Sequence, residues 1–152
     1  MKILYLHQYF TNFLGKGGTR SFSLAKKLVD NGHKVHIVCI NDSRSNTGLK
    51  SSFINGKRTG FYEGIKITEF DINYSNHKNY FQRIIVFLEF TYKSTLLSFK
   101  SDAEIILATS TPLTISFAGI LNRWINGKIF IFEIRDSWPK LPIEMGIIKN
   151  KL

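Results

Sequence analysis

The chain of 152 residues is short of cysteine, of acidic side chains and of long hydrophobic runs. Its one cysteine, Cys39, excludes an intramolecular disulfide and any cysteine-based zinc site. Flanked by Val38 and Ile40, it reads as a buried core thiol in a reduced, cytosolic setting. The longest apolar run in a helix-like stretch, residues 84–88, falls far below the ~18 residues that cross a bilayer. The apolar run at residues 3–6 is broken by His7 and Gln8, which argues against a signal peptide. His7, His33, His36 and His77 lack metal-ligand spacing, and no Ser-His-Asp pattern is visible, so neither a metal site nor a hydrolase triad is expected. His33 and His36 read as residues at the start of a strand and within it.

What is present is ordinary globular material: 43% hydrophobic and 14% aromatic residues, in a length that suits one domain. Eleven Asp and Glu against 21 Lys and Arg leave a formal charge of +10 and ask for an anionic partner. Nucleic acid, a membrane surface and phosphorylated substrates all qualify. The basic residues are scattered and no nucleic-acid motif accompanies them, so nucleic acid is not expected.

Strand and helix patterns alternate along the chain. Residues 3–6, 33–40, 65–70, 104–108 and 128–134 read as strands. Phe22, Ala25, Leu28 and Val29 recur at helical spacing until Asn31-Gly32 stops them. Thr111-Pro112 predicts a second helix start, with Thr111 as cap and the helix ending at Asn126-Gly127. Between these, residues 80–100 form the longest helix. Phe81, Ile84, Ile85, Leu88, Tyr92, Leu96 and Phe99 make one apolar stripe, and Val86, Phe87 and Phe90 lie outside it. Two readings stand: a core helix with a wide apolar face, or a helix touching lipid or a partner. Residues 41–64 read as a long polar loop holding at most a short element near Phe53, and residues 71–79 as a second loop. Residues 135–142 read as a loop, and 143–152 as the opening of another element. Strands joined through helices imply an α/β fold, a Rossmann-like, doubly wound parallel sheet.

Ligands of such sheets bind at the carboxyl ends of the strands. There the sequence places His7, then Gly15-Lys16-Gly17-Gly18-Thr19-Arg20, then Asn41 and Asp42, then Thr109, Ser110 and Thr111, and last Arg135, Asp136 and Trp138. The glycine loop precedes a helix and suits either a tight turn or a backbone contact to phosphate or sugar, although it matches neither standard phosphate-binding spacing. Asp136 suits a sugar hydroxyl, as base or hydrogen-bond partner. Arg135 suits a phosphate or an ion pair with Glu133 or Asp136, and Trp138 a stacked ring or a cap on the core.

Three passages together resemble the N-terminal half of family 4 glycosyltransferases of the GT-B fold. They are Lys2 to Phe10 with Gly17-Gly18-Thr19-Arg20; Ala108 to Thr114; and Phe132-Glu133-Ile134-Arg135-Asp136-Ser137-Trp138-Pro139. The likeness covers nearly the whole chain and is greatest to enzymes of bacterial surface polysaccharides (O-antigen or capsule), including N-acetylfucosamine-type transferases. It implies that residues 1–152 form an acceptor-side domain of a retaining enzyme that uses a nucleotide-sugar and neither cofactor nor metal. Gly17, Gly18, Thr19 and Arg20 would face the donor phosphates in the cleft. His7, Ser110, Thr111, Arg135 and Trp138 would meet the acceptor, and Asp136 would orient or deprotonate its hydroxyl. The implied acceptor is a lipid-linked saccharide, typically on polyprenyl diphosphate, at the cytoplasmic membrane face. A peripheral contact there suits both the charge and the apolar 80–100 segment. The family's donor half, with its paired-glutamate motif, has no counterpart in these residues. The expectation is therefore a truncated product, a fragment, or one half of a split enzyme, inactive alone. The alternative is a non-catalytic remnant that docks on a membrane or partner.

Overall fold

The computed structural model describes residues 1–74 and 79–135. Among these residues six strands form one sheet: β1 (Lys2–Leu6), β2 (Lys34–Asp42), β3 (Lys57–Tyr62), β4 (Ile65–Tyr74), β5 (Ile105–Thr109) and β6 (Ile129–Glu133), in the order β3-β4-β2-β1-β5-β6. All neighbours are parallel except the β3–β4 pair. Helix α1 (Arg20–Asp30) joins β1 to β2, α2 (Tyr80–Lys100) joins β4 to β5, and α3 (Ser116–Asn126) joins β5 to β6. The chain is thus α/β with a mostly parallel, Rossmann-like sheet. No helix among the described residues is long and apolar enough to cross a membrane.

The sheet is covered on both faces, so its central strands are apolar without alternation. On one face Tyr5, Ile37, Cys39 and Ile67 pack with Phe22 and Ala25 of α1. On the other Leu4, Leu6, Val38, Ile40 and Ile106 pack with Val86 and Phe90 of α2 and Ala118 of α3. Cys39 is buried, and burial raises its thiol pKa well above the ordinary value, so it is an inert core residue.

Three expectations change. The 41–64 segment is not simply a loop: β3 sits in it as an antiparallel edge strand, and its closing turns carry the signal. Asn55-Gly56 (φ 51° and 73°) and Glu63-Gly64 (φ 49° and 80°) are two-residue turns with both residues left-handed, the geometry that matches strand twist in hairpins. Strand β3 hides from a periodicity reading because Lys57-Arg58-Thr59-Gly60-Phe61-Tyr62 is half exposed and polar, as an edge strand is. Strand β4 runs on to Tyr74, which shortens the following loop.

Second, Thr111 does not cap a helix. Pro112 holds the cap position in an extended conformation, a single 3-10 turn (Leu113–Ile115) follows, and α3 begins only at Ser116. The fixed proline ring places the first helical turn after itself rather than on itself. The predicted stop holds: Gly127 is left-handed (φ 65°) and closes α3.

Third, of the two readings of the α2 stripe, the core-facing one does not hold: the stripe faces outward. Val86, Phe90, Ser94 and Ser98, four apart, are its buried face, while Ile85, Leu88, Tyr92 and Leu96 are exposed. The reason lies in α3. Ala118 and Gly119 face inward, and a Cβ on Gly119 would overlap the Phe130 ring, so this layer is close-packed. Small serines suit it. Asn122 Nδ2 donates to Ser98 Oγ (2.7 Å) and to its own helix at the Ala118 carbonyl (2.8 Å). Lys128 Nζ donates to the Ser98 and Ser101 carbonyls (2.8 and 2.7 Å), closing the end of α2. The expected loop at 135–142 and element at 143–152 fall, after Arg135, outside the described residues.

Candidate functional site

Strand order, not strand direction, reverses between the parallel neighbours β1 and β5. From β1 the connection runs to β2 on one side, and from β5 to β6 on the other, so the carboxyl ends of β1 and β5 open a crevice. A cleft of about 380 Å³ occupies it. His7, Gly17, Gly18, Ser110, Thr111 and Arg135, all predicted site residues, line this cleft. Tyr9, Asp42, Arg44 and Ser45 complete it.

His7 follows β1 directly and is buried. Its Nε2 lies 3.2 Å from Arg135 Nη1. A guanidinium only donates, so Nε2 accepts and the ring proton sits on Nδ1. Burial first, then Arg135 and Arg20, lower the His7 pKa to about 3, which keeps the ring neutral at physiological pH. Nδ1 has no partner among the described residues, so this cleft-lining residue carries a buried, unpaired N–H. An unpaired buried donor is costly and marks a place where a ligand oxygen or water completes the bonding.

Ser110 accepts from the Arg135 backbone N–H (2.9 Å), and its own N–H donates to the Glu133 carbonyl (3.0 Å). These two bonds fix the end of β6 against the end of β5 and set Arg135 beside His7. Arg20 is placed otherwise than expected: it forms an ion pair with Glu133 and does not line the cleft. The sequence left Arg135 open to pairing with Glu133. Arg20 takes that carboxylate, which leaves the Arg135 side chain to His7. Thr19 precedes α1 without making a side-chain cap; its carbonyl accepts from Ser23 N (3.0 Å).

The glycine loop divides by role. Gly15 is packed against the segment after β2, where Lys16 N donates to the Arg44 carbonyl (2.9 Å) and Asn12 N to the Asn46 carbonyl (2.8 Å). A Cβ on Gly18, in contrast, would meet nothing within 4 Å. Gly18 therefore borders open cleft.

Arg44, Ser45 and Tyr9 are the residues sequence reading did not single out. Asp42, buried at the end of β2, accepts from Arg44 N and Arg44 Nη2 (both 3.1 Å), an Asx turn that folds Arg44 back over the cleft. The Asp-x-Arg order was the available signal. Tyr9 packs edge-on against Tyr74, ring centroids 5.1 Å apart. Burial and the Tyr74 hydroxyl raise the Tyr9 pKa, so its phenol stays protonated and can donate. The lining residues thus bring two arginines, Arg135 and Arg44, with Tyr9 and the neutral His7, together with one carboxylate, Asp42. Such a set suits a ligand rich in hydroxyls that carries negative charge. Asp136 and Trp138 lie outside the described residues.

No protein-family model matches the chain, and no curated protein is a significant match to it. The likeness to glycosyltransferases rests on the three passages alone.

Proposed function

We propose that this chain is the acceptor-side part of a retaining GT-B glycosyltransferase. It would carry a lipid-linked saccharide acceptor while a nucleotide-sugar is held on a second domain, in the same polypeptide or in a separate one. The observation that carries the reading is convergence: the three passages that resemble the family are far apart in sequence, yet each sends residues to the one cleft at the strand switch, His7 with Gly17 and Gly18, Ser110 with Thr111, and Arg135.

In this reading Arg135 and Arg44 offset the charge of a diphosphate, and His7 Nδ1–H and the Tyr9 hydroxyl take sugar or phosphate oxygens. Gly18 lets the ligand come close to the backbone. Asp136 and Trp138 are assigned by resemblance, the first to the acceptor hydroxyl and the second to the pocket wall. By itself the chain is expected to bind acceptor without turnover, since the donor pocket belongs to the other domain.

Titration of the 152-residue chain with a short-chain prenyl-diphosphate N-acetylhexosamine, followed by amide NMR, tests this. Shifts centred on His7, Ser110 and Arg135 are expected, with Arg135→Ala weakening binding about 10- to 100-fold, the worth of a charge-assisted hydrogen bond. Absence of binding, or binding indifferent to Arg135, overturns the reading.

A further inference from the structure

Three Asn-Gly pairs punctuate the chain: Asn31-Gly32, Asn55-Gly56 and Asn126-Gly127. In this dipeptide the glycine nitrogen, with no Cβ beside it, can attack the preceding side-chain amide with little obstruction. All of these residues are exposed, and a Cβ on any of the three glycines would meet nothing within 4 Å. Access and crowding therefore do not separate the pairs, but hydrogen bonding does. At the end of α1, Asn31 Nδ2 donates to the Lys27 carbonyl (2.8 Å) and Gly32 N to the Val29 carbonyl (2.9 Å). At the end of α3, Asn126 Nδ2 donates to Asn122 Oδ1 (3.1 Å) and Gly127 N to the Asn122 carbonyl. In both pairs the attacking nitrogen and the attacked amide are tied to the last helical turn. In the turn before β3 neither is tied. Among the described residues the Asn55 side chain has no hydrogen-bond partner, and Gly56 N donates to nothing. That turn is held by other groups: Ile54 N donates to the Lys57 carbonyl (2.8 Å), Lys57 N to the Ile54 carbonyl (3.2 Å) and Asp71 N to the Gly56 carbonyl (2.9 Å).

We propose that Asn55 is a site of spontaneous modification, converted with water to aspartate and isoaspartate, while the fold spares Asn31 and Asn126. Gly56 N gives its proton to solvent and bonds to Asn55 Cγ. The Cγ–Nδ2 bond breaks, ammonia leaves, and a cyclic imide closes. Water then adds to one of the two imide carbonyls. Opening at Cγ restores the peptide bond and leaves aspartate. Opening at the main-chain carbonyl carries the chain through Cγ and leaves isoaspartate. Either product sets a carboxylate where a neutral amide stood. The groove of about 650 Å³ that Asn55 and Gly56 line is cationic: Lys57, Lys66, Lys93 and Lys100 share its wall, and its carboxylate, Asp102, is bound to Lys2 (2.6 Å). Positive surroundings favour loss of the Gly56 proton and stabilise the new carboxylate. The products differ in the backbone. Asp-Gly suits the same left-handed turn as Asn-Gly. Isoaspartate adds a methylene to the main chain of a two-residue turn and draws Ile54 and Lys57 out of register. The inference does not depend on the cleft or on the reaction proposed for it.

Incubation of the 152-residue chain in neutral buffer, sampled over time by peptide mass mapping, tests it. An isoaspartate carboxyl methyltransferase with labelled S-adenosylmethionine is the probe for the rearranged product. The Asn55 peptide should gain the mass of an amide-to-acid exchange first. Asn31 and Asn126 should follow about 10- to 100-fold more slowly, the protection that two hydrogen bonds give. In concentrated urea, where those bonds are gone, the three rates should converge. Asn55→Gly, which suits a left-handed turn position, should keep the circular dichroism spectrum and abolish methyltransferase labelling of the folded chain. Equal rates at the three pairs in the folded chain, or faster conversion at Asn31 or Asn126, overturn the proposal. So does a folded chain whose Asn55 stays intact while the urea-unfolded chain converts. Labelling that persists in the Asn55→Gly variant likewise overturns it, placing the reactive residue elsewhere.

Discussion

A Cβ on Gly15 would overlap the Thr11 hydroxyl and stand 2.9 Å from Asn46 N, whereas one on Gly18 would reach no atom within 4 Å. The two positions therefore separate stability from binding. Gly15→Ala is expected to cost about 1–3 kcal/mol through overpacking against a backbone that cannot yield. Gly18→Ala should leave stability within about 0.5 kcal/mol, as at a site without close neighbours. Urea midpoints of the two variants check this, and acceptor titration should show the reverse order, with Gly18→Ala alone weakening a ligand that approaches the loop. At this scale the sequence was informative about where residues lie and less so about what they touch. The strand ends told that His7, Ser110 and Arg135 share an edge. That Arg20 takes Glu133, and so frees Arg135 for His7, depends on side-chain reach across β1 and β6, which no local pattern encodes.

Helix α2 was legible in existence and length but not in orientation. Periodicity finds an apolar stripe and, by default, turns it inward. Here the inner face is chosen by its neighbours: α3 comes close through Ala118, and Ser98 takes a bond from Asn122 on that helix. Serine on a core face looks polar in the sequence, and only the bond from Asn122 shows why Ser98 is tolerated. The consequence is measurable. Phe90→Ala, at a fully buried position, should cost about 3–5 kcal/mol. Leu88→Ser, on the exposed ridge, should stay within about 0.5 kcal/mol. Chemical denaturation of the pair decides it, and a reversed order would mean that the stripe faces the core after all. The β3 hairpin was hidden for the opposite reason, since its residues are ordinary edge-strand material and only the Asn55-Gly56 and Glu63-Gly64 turns betray it.

For the whole molecule, the α/β alternation told the class and the strand switch told where a cleft opens, because both follow from connectivity rather than from particular contacts. Acid sensitivity also belongs to this scale. His7, on the cleft, and His36, bonded to Thr68 Oγ1 at 2.8 Å, are both held neutral, with pKa values lowered to about 3 and about 4, chiefly by burial. An unfolded chain would protonate both near 6.5. Between about 6.5 and 4 the unfolded state thus binds more protons, and stability falls as pH falls, His7 continuing to about 3. Urea midpoints across this range should drop steadily, and His7→Gln with His36→Gln should flatten the slope. An unchanged slope would mean that both rings are charged in the fold.

Among the described residues, the two outermost strands of the sheet are not alike. The β3 border carries Lys57 and Arg58, whereas β6 is Ile-Phe-Ile-Phe-Glu with Ile129 and Ile131 exposed. A strand that is apolar, β-branched and lightly charged is a template for further strands, and a cationic one repels them. Edge-to-edge growth of the described residues would therefore be polar, favoured along β6 and opposed along β3. Refolding from denaturant would then call for dilution, and a lysine at Ile131 would be the change that quiets the growing end.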